Sequence, residues 1–182
     1  IAQDRISEKR FLAASGIGVA PHAVITRAED LDQLQAALLP GILKSARLGY
    51  DGKGQARVRT ESDCDAVWKS FNVSEAILEK VVPFANELSI VASRFADGTC
   101  SFFAPVLNHH ENHILDVSIS PSPLISDRQT LDAQQIARDI LEHFNVIGVL
   151  CVEFFASSDG QLLVNEIALC LNDTAPPEIY TC

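Results

Sequence analysis

The stretch Gly49-Tyr-Asp-Gly-Lys-Gly-Gln55, five residues after Lys44, constrains this chain more than any other. Three glycines in seven residues cannot pack a core. Glycine opens backbone conformations closed to other residues and lets the main chain come close to a ligand. An apolar pair, Ile42-Leu43, delivers Lys44 just before the loop, and Ala56-Arg-Val-Arg59 resumes a strand-like pattern after it. A glycine loop between two strands, with lysines before and within it, suits a cover over phosphates. It also suits a β-hairpin with a generous turn, and the loop alone does not choose between the two.

Two familiar phosphate loops are excluded. A P-loop needs four residues between its first Gly and a Gly-Lys-Ser/Thr. Gly52-Lys53-Gly54 has no Ser or Thr, and no helix follows. A dinucleotide fingerprint needs a helix directly after its glycines, whereas Arg57-Val58-Arg59 alternates.

The length of 182 residues allows one sizeable domain or two small lobes. A net charge of −10 argues against nucleic acid or an anionic membrane surface as the main partner. A local Lys/Arg cluster can still hold phosphate in an acidic protein. Cysteines 64, 100, 151, 170 and 182 show no CxxC spacing, so thiols in a reducing cytoplasm are expected. No apolar run approaches membrane-spanning length, and nothing reads as a signal peptide. The chain has no Met and opens mid-pattern, so a piece of a longer protein is expected.

Periodicity divides the chain at about residue 75. Over 1–75, Asp4–Ala14 reads as a helix and Ala23–Ile25 as a strand. Thr26 is expected to cap a helix over Ala28–Leu39. Strand, glycine loop and strand follow, and then a helix opened by Thr60–Asp63. Over 76–182, Ala76–Val82 reads as a buried strand. Glu87–Phe95 and Thr99–Leu107 flank the hairpin signal Asp97-Gly98. Ile114–Ile119 is a strand, Leu124–Asn145 mostly a helix, and Val146–Phe155 and Leu162–Ile167 a hairpin around Asp159-Gly160. Val81-Val82-Pro83 is the expected connection.

That last hairpin puts Glu153 and Glu166 inside apolar strands, able to sit side by side on one sheet face. Carboxylates in such a place are costly unless paired or metal-bound. Paired oxygens beside Asn165 suit Mg²⁺; two edge carboxylates facing solvent fit the same pattern. Glu79 also interrupts an apolar strand and, taken singly, reads as a solvated residue, as does Glu87. His109, His110 and His113 cluster in a turn, as surface, a substrate-contacting loop or a zinc site.

In order along the chain stand Gln3-Asp-Arg-Ile-Ser-Glu-Lys9, Lys44, the glycine loop, Ile77-Leu-Glu-Lys80, Glu87-Leu-Ser, Asp116-Val-Ser, Val152-Glu-Phe-Phe and Val164-Asn-Glu-Ile-Ala168. This series resembles the ATP-grasp portion of the 5-(carboxyamino)imidazole ribonucleotide synthase family over about residues 2–168. The resemblance implies an α+β ATP-grasp fold of two α+β lobes with ATP between antiparallel sheets. It implies ATP-dependent carboxylation of 5-aminoimidazole ribonucleotide by bicarbonate, through carboxyphosphate, in cytoplasmic purine biosynthesis. By the same resemblance Arg5 and Lys44 contact ATP, and Gly49, Tyr50, Asp51, Gly52, Lys53, Gly54 and Gln55 close over its phosphates. Lys44 and Lys53 are the catalytic cations. Glu79, Lys80, Val81 and Val82 hold adenine, Glu87 holds ribose, and His110, Asn165 and Glu166 complete the nucleotide site. Glu153 and Glu166 carry Mg²⁺ or Mn²⁺. The implied partners are ATP and a phosphoribosyl-aminoimidazole nucleotide, with neither nucleic acid nor membrane; a homodimer is open.

After Ala168 the family continues Pro-Arg-x-His-Asn-Ser-Gly-His, whereas this chain reads Leu169-Cys-Leu-Asn-Asp-Thr-Ala-Pro176. That departure leaves room for two other readings: a non-catalytic nucleotide-binding or assembly module of the same fold, and an ATP-grasp ligase with another acceptor.

Overall fold

The structure, a computed structural model, describes residues 4–47, 54–111 and 114–170. Its architecture is α+β with antiparallel sheets, divided into two units, Ile1–Phe11 with Val19–Pro83 and Leu12–Gly18 with Phe84–Cys182.

In the first unit, helix α1 (Arg5–Ala14) starts where Asp4 Oδ1 accepts a hydrogen bond from the Ser7 amide at 2.9 Å. Strand β1 (His22–Ile25) leads to helix α2 (Ala28–Leu38). Thr26 is not its cap. Instead Asp30 reaches back and accepts from the Thr26 and Arg27 amides at 2.9 and 3.2 Å, occupying donors that the helix leaves open. Strands β2 (Gly41–Ser45) and β3 (Gln55–Val58) bracket the glycine segment, and the Ser45 amide donates to the Gly54 carbonyl at 2.9 Å. A 3-10 turn at Glu61–Asp63 opens helix α3 (Cys64–Phe71), and strand β4 (Ala76–Lys80) completes an antiparallel sheet of order β1-β4-β2-β3.

Strand β4 corrects the division at residue 75: it pairs with β1 and β2, so the first unit runs on to Pro83. Apolar burial explains the placement. On one face Ala76 and Leu78 join Ile25, Leu31, Leu43 and Val58 in a core packed with Trp68 and Phe71; on the other, Ile77 meets Ile6 of α1. A strand covered on both faces belongs in the middle of a sheet.

In the second unit, strands β5 (Asn86–Arg94), β6 (Cys100–Phe102), β7 (Val106–Glu111), β8 (Ile114–Ile119), β9 (Gly148–Ala156) and β10 (Leu162–Cys170) form a sheet of order β10-β9-β5-β7-β8, with β6 against β5. The single strand expected over Thr99–Leu107 is thus two. Pro105 has no amide to donate to a ladder, and the break lets β6 pair with Ala92–Arg94 while β7 pairs with Glu87–Ser89. Helix α4 (Asp127–His143) begins later than Leu124, at a capping box where Ser126 Oγ accepts from the Gln129 amide at 3.2 Å and the Gln129 side chain accepts from the Ser126 amide at 3.0 Å. It packs on β5 and β10. Ala133, Ala137, Ile140 and Leu141 are buried, as are Leu88, Ile90, Leu150, Val152 and Phe154 on alternate strand positions. The other face of this sheet carries the polar residues.

Gly41 shows how tightly the first sheet is built. A Cβ there would lie 2.7 Å from the Leu38 carbonyl oxygen and 2.8 Å from Leu78 Cδ1. Gly41→Ala is therefore expected to lower stability by roughly 1–3 kcal/mol in urea denaturation. Gly18→Ala, whose new methyl would meet only the flexible Leu163 side chain at 3.1 Å and the Leu162 carbonyl at 3.7 Å, should cost less.

Candidate functional site

Each unit holds its own constellation of polar residues. In the first, β2 and β4 place Ile42 opposite Glu79 and Lys44 opposite Ile77. Residues two apart share a face, so Lys44 and Glu79 stand on the same side of the sheet. Helix α1 lies on that side, with Ile6 against Ile77. Lys9, almost one turn further along α1, reaches the same carboxylate. Lys44 Nζ donates to Glu79 Oε2 at 2.8 Å, and Lys9 Nζ lies 3.6 Å from Glu79 Oε1. The Lys9 and Glu79 side chains are 2% and 4% exposed, the Lys44 side chain 13%.

Glu79 is therefore not a solvated strand residue. Burial works to raise its pKa, but Lys44 and Lys9 together hold the carboxyl below its ordinary value. Lys9 is pushed the other way: burial lowers the ammonium below its usual value, against the attraction of Glu79. Two other described candidates adjoin this group. Arg5 Nη1 donates to the Ser45 carbonyl at 3.3 Å, and Gln55 pairs with Lys44 across the β2–β3 ladder. The amides of Lys80 and Val81 donate to the Pro21 and Pro40 carbonyls at 2.8 and 2.9 Å, so neither is open to a base. Val82 is half-buried. Gly54 has a φ of 73°, a conformation that favours glycine. Gly49, Tyr50, Asp51, Gly52 and Lys53 lie outside the described residues, as does His113.

In the second unit the sheet face turned away from α4 collects the other candidates. Glu166 on β10 is directly opposite Glu153 on β9, and Glu153 is opposite Ser89 on β5. Asn165 is the extra residue of a β-bulge between Val164 and Glu166. Both glutamates are half-buried. On the neighbouring strands Glu87 Oε2 stands 2.8 Å from His110 Nδ1. Asn108 Nδ2 donates to Ser89 Oγ at 3.0 Å, and Ser118 Oγ donates to Asn108 Oδ1 at 2.8 Å. Cys151, two residues before Glu153 on the same face, has its thiol pushed up to about 11 by burial and by the Glu153 charge.

Sequence reasoning misses the roles of Ser89, Asn108 and Ser118: each stands in a strand with other polar residues, so no lone-polar signal like that of Glu153 marks it. The histidines separate: His110 pairs with Glu87 while His109 is exposed. Among the described residues no three of His, Cys, Asp and Glu gather as a metal cluster. Two carboxylates with an amide between them in sequence do form an oxygen-rich donor set that fits a hard divalent cation, provided a ligand supplies further oxygens. Chemically, the first unit offers a buried cationic group and the second a carboxylate pair.

A profile of the ATP-grasp domain matches residues 10–175. The chain is 35% identical over 175 residues to the N5-carboxyaminoimidazole ribonucleotide synthase of Aquifex aeolicus, covering 96% of this chain and 47% of that protein. Among solved structures it resembles the Thermus thermophilus N5-carboxyaminoimidazole ribonucleotide synthetase, with a TM-score of 0.83, 36% identity and coverage of 92% and 45% of the two chains. It also resembles the Aspergillus clavatus N5-carboxyaminoimidazole synthase in complex with ADP and 5-aminoimidazole ribonucleotide, with a TM-score of 0.82, 25% identity and coverage of 92% and 44%. The chain spans about half the length of these relatives.

Glu79 gives this site a pH signature. A carboxyl whose folded pKa is depressed contributes stability above its unfolded pKa and loses it as pH falls through the folded value. Glu79→Gln should cost about 3–5 kcal/mol at neutral pH, because it strands the Lys9 charge. That difference from the unsubstituted chain should shrink as pH is lowered through the carboxylate range, which urea denaturation at several pH values would measure.

Proposed function

The chain belongs to the ATP-grasp family, and we propose that it is the nucleotide-binding portion of an ATP-dependent ligase that carboxylates 5-aminoimidazole ribonucleotide with bicarbonate in purine biosynthesis. The observation that carries this reading is the cross-strand pair Glu153–Glu166, set on the polar face of its sheet rather than in the core. Two adjacent carboxylates repel unless a cation stands between them, and Mg²⁺ bound by a few carboxylates commonly takes its other ligands from substrate phosphates and water. Similarity to synthases solved with ADP, ATP and 5-aminoimidazole ribonucleotide supports the substrate assignment.

In this reading Glu153 and Glu166 hold Mg²⁺ or Mn²⁺, which supplies charge neutralisation for the phosphates. Lys44, Lys53 and Arg5 offer positive charge to the same phosphates, and the glycine segment 49–55 covers them with main-chain amides. Glu87 receives the ribose hydroxyls, with His110 beside it to hold its carboxylate in place, and the segment Glu79–Val82 lies along the adenine. Bicarbonate attacks the γ-phosphorus, the bond to the β-phosphate oxygen breaks, and ADP leaves. The resulting carboxyphosphate delivers CO₂ to the amine of the imidazole nucleotide and releases phosphate. Positioning and charge neutralisation supply most of the rate in such phosphoryl transfers. The reading also implies a cytoplasmic site of action.

A second reading, a nucleotide-binding module without carboxylation, draws on the sequence after Ala168, where the family's Arg and His residues are replaced. A Cys or Asn cannot reproduce the bidentate grip of Arg on phosphate. Calorimetry and turnover distinguish the readings. The chain should bind ATP in a Mg²⁺-dependent manner, and Lys44→Ala should weaken binding by roughly tenfold or more. Undiminished binding by that variant would sink the site assignment. ATP hydrolysis stimulated by bicarbonate together with 5-aminoimidazole ribonucleotide supports the ligase; binding with no such stimulation selects the module.

A further inference from the structure

Lys9 is almost wholly buried, and the chemistry above does not use it. A buried lysine is costly. Lys44 donates to one oxygen of the Glu79 carboxylate at 2.8 Å, and Lys9 brings a second positive charge to the other. A carboxylate facing one ammonium makes a neutral pair, and a phosphate approaching Lys44 would then meet a cation already matched by Glu79. With Lys9 at 3.6 Å on the other carboxylate oxygen, Glu79 divides its charge between two ammonium groups and Lys44 is no longer its sole partner. The end of the cluster nearest solvent is Lys44, 13% exposed against 2% for Lys9.

Other charged groups bear on the cluster. Glu8, buried on α1, also attracts Lys9, but more weakly than Glu79 does. His22 stands opposite Glu79 in the β1–β4 ladder, and its ring Nδ1 is 3.0 Å from the Ala20 carbonyl oxygen. Arg5, at the start of α1, is tied to the Ser45 carbonyl beside Lys44.

We infer that Lys9 is a positioning residue for nucleotide phosphates: by sharing Glu79 it leaves Lys44 a positive charge to offer. The inference rests on the nucleotide reading above. It differs from a purely structural role for Lys9 in a way that can be measured, because a charge effect falls on the phosphates and not on the nucleoside.

The test is calorimetric titration of the 182-residue chain with Mg-ATP, inorganic triphosphate and adenosine. Lys9→Met, similar in length but uncharged, should weaken ATP and triphosphate binding roughly tenfold, because Glu79 is then matched by Lys44 alone. Adenosine affinity should not change, because adenosine carries no phosphate. A folded Lys9→Met chain with unchanged ATP affinity would overturn the inference, as would equal losses for ATP and adenosine. Should Lys9→Met fail to fold, Glu79→Gln is compared with the Lys9→Met/Glu79→Gln double variant. With no carboxylate left to share, the two should bind triphosphate within about threefold of one another, and a further tenfold loss would overturn the sharing. Failure of the unsubstituted chain to bind Mg-ATP would instead overturn the nucleotide reading itself.

Discussion

The first unit depends on a carboxylate in the wrong kind of place. Glu79 lies on an inner strand of its sheet, which is covered on both faces, and it is 3% exposed. An isolated ion there would be neutralised by protonation rather than tolerated. What keeps it charged is a pair of ammonium groups from different elements, Lys44 from the neighbouring strand and Lys9 from the helix across the face. The ion group therefore also sets geometry. It ties α1 to β2 and β4 at one point, while Ile6 and Ile77 make the apolar contact beside it. Buried ion pairs are a weak source of net stability but a strict source of placement, and placement of Lys44 is what a phosphate site requires.

The second unit handles charge differently. Its glutamates face away from the core formed with α4, so the sheet separates an apolar side that folds it from a polar side that can bind. The polar side is connected internally: Ser118 to Asn108, Asn108 to Ser89, Glu87 to His110. Side chains held by one another lose less freedom when a ligand arrives, so less of the binding energy goes into ordering them.

Much of this is legible in the sequence, and the failures have physical causes. Amphipathic spacing identifies the helices, and lone glutamates in apolar strands identify the carboxylate pair. Strand β4 reads as part of the wrong lobe because an apolar run shows that a strand is buried but not which sheet buries it. The partners of Glu79 are hidden for a similar reason: Lys9 is 70 positions away, and no local pattern reports a contact of that range. The pairing of Glu153 with Glu166 follows from a turn centred on Asp159-Gly160, yet the hairpin closes around a longer connection, with Ala156 opposite Leu162. That register is offset by one residue from the expected one, and the bulge at Asn165 restores it.

The bulge has a consequence for how such a chain can change over generations. Val164 faces the core and Glu166 the polar side, which is the alternation of adjacent residues in an unbroken strand. Asn165 is thus an insertion that leaves the parity of the strand intact on either side. Loss of that codon would restore a regular ladder with both carboxylates and the apolar row still in place. Elsewhere along β10, deleting a single residue would turn every following side chain onto the opposite face. The amide between Val164 and Glu166 is the position where this hairpin can gain or shed a residue without rearranging its neighbours.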